Sequence, residues 1–533
     1  MTQADHRTQI LRSTASAAFP TLISRVLGYI RDLLQALFMG TGHAADAFII
    51  AFTIPNLLRR LTAEGAMSAA FIPTFASMKA EDKGKGAWRF ASVFFADLAL
   101  VMAAVAVLGV LFAPGIVRII AFGFENVAGK WELTVVLTRI MFPFIAFVSL
   151  SALAGGILNT CGRFFVPAST SVIFNLSVIA AAALLAGGAA EPATVFASGV
   201  VAGGILQLLV QVPFLRKEGM SFSFRISFVH PGVRRVAALM IPGILGASAY
   251  QINFAVSRMI ASSLEKGSAS ALYYASRVEE LTLGLFTLAL SAVLLPAFSA
   301  QAAARDTGKM RKTVEFSLRL VVLVTIPAAA GLAVLHRPII RVLFERGVFD
   351  SASTAMSSGC LVFFAVGLPF VSGVKIVAPV FFSFKDTRTP VAVGSGILIL
   401  NIVLSLALMG SLRVGGLALA LSIAQVFNFA VLFAIMERKI GPMPKARLVV
   451  TGLKSLSASL LMCGALFLAR PVIDDPGGPF LRQAVSLLVA IVVGIGIYGF
   501  VIRLLSPQET RSLVGLLLES GRGAGRRSRE VDP

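Results

Sequence analysis

Charge is scarce in this sequence. Only 14% of its 533 residues are Asp, Glu, Lys or Arg, where a water-soluble protein carries about 25%. A soluble chain of this length would bury about two or three separate cores. Cysteine is nearly absent. Cys161, Cys360 and Cys463 lie far apart and form no CxxC, which excludes a disulfide framework or a thiolate metal cluster and leaves them as packing residues. The histidines His6, His43, His230 and His336 are scattered, so no metal constellation is expected. Strand-like alternation with period two is missing, which argues against a membrane barrel. A P-loop, a nucleophile elbow, an HExxH pair and a paired-carboxylate site are missing too. No seat for catalysis is visible, and neither enzymatic activity nor a cofactor is expected.

What the chain has instead is apolar sequence. Hydrophobic residues make up 57% of it, and the mean hydropathy is +0.87. They come in runs of about 20, the length with which a helix crosses a hydrocarbon core of about 30 Å. The expected fold is all-α and polytopic, with about fourteen transmembrane helices. The spans lie roughly at 15–37, 45–77 (long and broken), 90–113, 132–158, 166–187, 193–215 and 236–262. The second set lies roughly at 270–300, 314–335, 354–382, 390–410, 413–436, 448–470 and 481–504. Arg7 and Arg12 precede the first span without a clean small-residue cleavage site, so this segment reads as an uncleaved span.

The formal net charge of +21 does not imply nucleic acid, which needs a soluble basic face with interleaved aromatics. Here the basic residues sit in short loops and a tail. Odd-numbered connections such as "MGTGHAAD" and "GGAAEPA" are nearly neutral. Even-numbered ones such as "KAEDKGKGAWR", "ARDTGKMRK", "FKDTR" and "ERKIGPMPKAR" are basic, as is the tail "GRGAGRRSRE". The positive-inside rule then puts both termini in the cytoplasm. The segment "HRPIIRVLFERGVFD" is an exception, with basic residues on the expected outer side.

The chain also resembles itself. Pro20, Pro73, Pro114 and Pro167 recur at a near-constant offset as Pro242, Pro296, Pro338 and Pro390. Six spans separate equivalent positions, so the copies share one orientation. Two pseudo-symmetric six-helix lobes follow, related by an axis along the membrane normal. The expected division is an N-terminal lobe at 1–219, a C-terminal lobe at 220–446, two extra helices at 447–505 and a basic cytoplasmic tail at 506–533.

The few embedded charges carry the chemistry, because an Arg or Asp inside a membrane costs about 2.5–3.5 kcal/mol. The first span holds Arg25, Arg31 and Asp32. Arg25 and Asp32, seven apart, share nearly one face and can pair, with Arg31 reaching for headgroups. One acid cannot neutralise two arginines, so the remainder needs a wet cavity or an anionic ligand. In the second span Asp46 comes first, Pro55 breaks a helix hydrogen bond, and Asn56, Arg59, Arg60 and Glu64 follow. Arg60 and Glu64 can form a structural pair at i, i+4. Arg59, about 100° around the helix, is the better ligand for an anion. In the eighth span Arg277 and Glu280 share a face at i, i+3. Lys375 lies among apolar residues, and Lys454 and Arg470 snorkel near span ends. Guanidiniums that outnumber carboxylates suit a phosphate or diphosphate head on an amphiphile.

The segments "SRVLGYIRD" (24–32) and "ADAFIIAFTIPNLLRRLTAEGAMSAAFIP" (45–73) resemble the MurJ (MviN) family of lipid II flippases. So do "GILNTCGRFFVPA" (156–168), "LYYASRVEELTLGLFTLALSAVLLP" (272–296) and "FFSFKDTRTPV" (381–391). The resemblance implies the multidrug/oligosaccharidyl-lipid/polysaccharide exporter fold. It also implies transport of undecaprenyl-diphosphate-linked disaccharide-pentapeptide across the bacterial inner membrane for cell-wall synthesis. On that resemblance Arg25, Arg31, Arg59 and Arg277 line a cationic cavity. Ser24, Asp32, Asp46, Asn56 and Glu280 fall on weaker polar positions, and the last two helices form a groove for the lipid tail. The resemblance also points to cell-wall synthesis proteins as partners. Ser276 stands where some relatives have an acid, which alters the surroundings of Arg277. The eleventh and twelfth spans hold no acid before Glu437, so no sodium site is carried over. The competing readings are a cation-coupled multidrug exporter, an exporter of another lipid-linked oligosaccharide, and a non-transporting scaffold for cell-wall enzymes. The first predicts acids in its cavity; the last leaves the embedded arginines unexplained.

Overall fold

The computed structural model describes residues 3–59, 67–81, 85–223, 225–475 and 477–507, with no strand among them. The first spans are α1 (Gln3–Met39), α2 (His43–Arg59), α3 (Met67–Glu81) and α4 (Lys85–Leu111), followed by the short α5 (Ala113–Ile120). Next come α6 (Lys130–Met141), α7 (Phe144–Thr160), α8 (Phe165–Leu185), α9 (Pro192–Lys217), α10 (Pro231–Ala261) and α11 (Ser268–Ala303). The chain continues with α12 (Thr307–Phe344), α13 (Ser351–Ser383), α14 (Arg388–Leu412), α15 (Val414–Ile440) and α16 (Lys445–Leu468). The short α17 (Arg470–Ile473) and α18 (Phe480–Leu505) complete it.

All fourteen expected spans fall on helices among the described residues. The described residues of the second span lie in α2 and α3, and the expected Arg60–Glu64 pair lies outside the described residues. The fourth is two helices, because Pro143 between α6 and α7 has no backbone N–H to donate. Among the described residues, ten spans are long and apolar enough to cross a membrane. The other four are α1, α2–α3, α10 and α11. They carry Arg25, Arg31, Arg59, Arg258 and Arg277. Long apolar side chains face outward, as in Leu468 (82% exposed) and Leu481 (73%). That inversion of the soluble rule marks a multi-pass membrane protein whose solvent is lipid.

The chain forms two compact units. One comprises Met1–Tyr274, Phe344–Ser353 and Ser405–Val414; the other comprises Ala275–Leu343, Thr354–Leu404 and Gly415–Pro533. In the first unit the core is aromatic. Phe71 on α3 stacks on Phe75 at 5.6 Å and on Phe90 of α4 at 5.4 Å. Leu153 and Ile157 of α7 and Val236 of α10 close around them. In the second unit Phe298 and Val314 pack with Ile376, Phe381 and Met436, joining α11, α12, α13 and α15. There α18 lies along α16, where Gly494 lets the helices approach. A Cβ at that position would stand 3.3 Å from Leu466 Cδ1. Tyr498 of α18 donates to the Leu323 carbonyl of α12 at 2.6 Å and lies 2.9 Å from Ser455 Oγ of α16.

Arg341, in the segment that breaks the charge rule, pairs with Asp474, so part of its excess charge is neutralised. Arg470 lies 4.0 Å from the same carboxylate, and its guanidinium therefore has an acidic neighbour as well as headgroups to reach for.

Candidate functional site

Three polar clusters in the first unit are built around residues singled out from the sequence. The first forms where α1 meets α8. Arg31 donates to Asp32 Oδ1 from Nε (3.1 Å) and Nη2 (2.8 Å), and its Nη1 donates to Asn175 Oδ1 at 3.2 Å. The amide of Asn175 donates in turn to the Ser24 carbonyl (3.0 Å) and hydroxyl (3.3 Å). Tyr273 of α11 donates to Asp32 Oδ1 at 3.0 Å, and Phe174 lies 5.8 Å beneath the guanidinium. Asp32 is thus clamped by its immediate neighbour. Arg31 is held inside the unit rather than reaching for headgroups. Arg25 lies on an exposed stretch of α1.

The second cluster surrounds Arg59, in the last turn of α2. Its Nε and Nη2 donate to Asn56 Oδ1 at 3.2 and 3.0 Å, one turn back. Arg59 lines a cavity of about 280 Å³ whose other walls come from α7, α8 and α9. Ser151, Asn159, Thr170, Ser171, Gln207 and Gln211 make those walls polar, and among the described residues no carboxylate lines them. Gly155 and Gly156 keep the α7 wall open. The two clusters share α8: Ser171 lines the cavity, and Asn175, one helical turn on, holds Arg31.

The third cluster is closed. Asp46 is buried at the start of α2, where Lys130 Nζ (2.8 Å) and the Gly267 amide (2.8 Å) donate to Oδ2. The Ser270 amide (2.9 Å) and hydroxyl (2.7 Å) donate to Oδ1. Lys130 also sits 3.9 Å over the Phe124 ring. All these donors belong to the protein, so the carboxylate fastens α2 to α6 and to the start of α11.

In the second unit Arg277 Nη1 pairs with Glu280 Oε2 at 2.6 Å, the i, i+3 contact expected from the sequence. The structure therefore gathers Ser24, Arg31 and Asp32 in one network, and Asn56 with Arg59 in another. Asp46 stands apart as an internal fastening. Asn175, Tyr273, Lys130, Gln207 and Gln211 were not anticipated. Their signal was present: each is a polar residue interrupting or edging an apolar run.

Comparison with known proteins places this arrangement. The model of the family "Lipid II flippase MurJ" matches residues 35–492. The chain belongs to the lipid II flippase MurJ family. The probable lipid II flippase MurJ of Vibrio cholerae is 37% identical, over 80% of this chain and 82% of its own. That of Haemophilus influenzae is 33% identical over 92% of this chain and 98% of its own. A solved lipid II flippase MurJ in an inward closed conformation is 28% identical, with a TM-score of 0.77, covering 91% of this chain and 98% of that one. An inward-facing multidrug resistance MATE family transporter of the MOP superfamily is 13% identical with a TM-score of 0.68, and shares the fold alone.

Proposed function

We propose that this MurJ family member is a transporter that carries lipid II from the inner to the outer leaflet of the bacterial cytoplasmic membrane by alternating access. The observation that carries the reading is Arg59, a guanidinium inside an expected membrane span that opens onto a polar cavity with no carboxylate among its described lining residues. A diphosphate suits such a group, because Arg binds it bidentately. Arg31 offers a second cation, already oriented by Asp32 and Asn175. Arg25 and Arg277 complete the proposed cationic set, with Ser24, Asp32, Asn56 and Glu280 positioning the arginines. Asp46 contributes through the fastening of α2.

The lobes at 1–219 and 220–446 rock about the cargo, and the pair at 447–505 takes the lipid tail. Both termini lie in the cytoplasm. The membrane potential helps to return a cationic cavity, at about 2.3 kcal/mol per charge per 100 mV.

The test is rescue of a flippase-depleted strain, read by accessibility of lipid II to a probe added outside. The wild-type chain restores outer-leaflet lipid II. Arg59→Ala inserts normally and restores none. Normal rescue by Arg59→Ala at equal expression removes Arg59 from the mechanism. Unchanged outer-leaflet lipid II after loss of the wild-type chain removes the function itself.

A further inference from the structure

The cavity beside Arg59 has more acceptors than the protein uses. Gln211 is fully buried and Gln207 is 8% exposed. The Nε2 of Gln211 donates to the Ser151 carbonyl (3.0 Å), the Ser151 hydroxyl (2.7 Å) and the Gln207 carbonyl (3.0 Å). The Nε2 of Gln207 donates to the Thr170 carbonyl at 3.0 Å. Backbone carbonyls cannot donate, so these bonds fix both amides, and a flip would set oxygen against oxygen. Each Oε1 is left buried without a donor. A Cβ at Gly155, which lines the cavity, would stand 3.4 Å from Gln211 Oε1, so the glycine adds no side chain between that buried oxygen and the cavity. An orphaned acceptor is costly in a membrane interior, and two of them on one wall call for donors.

We infer that this cavity is a subsite for an uncharged, donor-rich group covalently attached to the anion on Arg59, and that the group is the cargo's first sugar. The inference rests on the proposed lipid II function. A cation would also suit carbonyl oxygens, but Arg59 lining the same cavity repels it. A second anion is refused by the Gln oxygens themselves. Hydroxyl and amide N–H groups fit both constraints. Sugar and peptide each supply them, but the sugar is bonded directly to the diphosphate, one group away from the guanidinium. The volume of about 280 Å³ lies at the lower edge of ligand pockets, which run from about 300 to 1,000 Å³. It admits a single ring rather than a disaccharide with its peptide.

The experiment measures binding to the full-length protein in nanodiscs with three probes: undecaprenyl diphosphate, the same lipid bearing the disaccharide without peptide, and complete lipid II. The wild-type chain binds the disaccharide lipid about tenfold or more tightly than the sugar-free lipid, as expected when buried acceptors gain their donors. Gln207→Leu removes one orphaned acceptor, and Ser171→Trp fills the cavity mouth without deleting a hydrogen bond given for this residue. Each brings that ratio close to one, and Ser171→Trp carries the test should Gln207→Leu fail to fold. Equal wild-type affinity for sugar-free and disaccharide lipids overturns the inference, as does an intact ratio in folded Ser171→Trp. A gain that appears only with complete lipid II overturns the sugar assignment in favour of the peptide. If none of the three lipids binds, the lipid II reading falls and takes the subsite with it.

Discussion

Replacing Lys130 with Met should destabilise the fold more than any exposed charge change. The Lys130 and Asp46 side chains are 3% and 2% exposed. Removing the ammonium leaves a buried carboxylate with three remaining donors, from Gly267 and Ser270. Breaking a buried pair from one side costs about 3–5 kcal/mol. Met retains the aliphatic contact with Phe124, so little of the loss arises from packing. Asp46→Asn has a different defect. One amide edge must face the Gly267 N–H or the Ser270 donors, so a donor meets a donor, at about 1–3 kcal/mol. The double variant removes both charges, and the two losses should fail to add by more than about 1 kcal/mol. The assay is the thermal denaturation midpoint of purified protein in one detergent for the wild type and the three variants. At about 2–4 °C per kcal/mol, Lys130→Met should fall by about 6–20 °C, and the double variant should fall less than the sum of the singles. Strict additivity, or a Lys130→Met midpoint within about 2 °C of wild type, would refute the claim that this pair fastens α2.

Three further outcomes follow from the packing. Gly267→Ala should destabilise by about 1–3 kcal/mol, because its φ of +91° disfavours a side chain and the new Cβ would lie 2.5 Å from the Thr41 carbonyl oxygen; the same midpoint assay reads it. Tyr498→Phe loses the bonds to Leu323 and Ser455 and should cost about 0.6 kcal/mol, up to about 1.7, seen as faster proteolysis between α16 and α18. In the loop before α14, Lys439 and the Thr389 amide hold the Asp386 carboxylate down to about 2. A carboxylate depressed by folding stabilises above its ordinary value and loses that contribution as pH falls through the folded value. The midpoint gap between wild type and Asp386→Asn should therefore be constant at neutral pH and close below about pH 4. A gap that widens on acidification would contradict the assigned partners.

The span pattern was legible because a bilayer demands long apolar helices, and the sequence supplied one for every expected crossing. Pro143 still divided a span that hydropathy alone reads as continuous. The i, i+3 pairing of Arg277 with Glu280 was legible for the same reason, since helical geometry is local. The surroundings of Arg31 were not. Periodicity put Asp32 on the face of Arg25, whereas the Arg31 side chain turns back to grip its own neighbour. Only tertiary contact reveals that Asn175, 144 residues away, completes the clamp. Asp46 illustrates the same limit. Its partners Lys130, Gly267 and Ser270 lie in separate helices and loops, and a lone acid at a span boundary carries no sign of them. The orphaned oxygens of Gln207 and Gln211 escape the sequence because satisfaction is a property of the whole neighbourhood.

The attachment of α18 has a bearing on how this protein can drift. Lipid is as apolar as leucine, so the outward side chains of α16 and α18 gain nothing from their particular shapes. Exchanges among Leu, Ile, Val and Phe at Leu460, Leu481, Leu488 and Ile495, all exposed, should therefore be nearly silent. The constraint concentrates in a few points: Gly494 against Leu466, Tyr498 on Leu323 and Ser455, and Arg341 on Asp474. Among homologues this helix pair should vary freely over most of its surface while holding those contacts, so that neutral change accumulates around a sparse set of fixed positions.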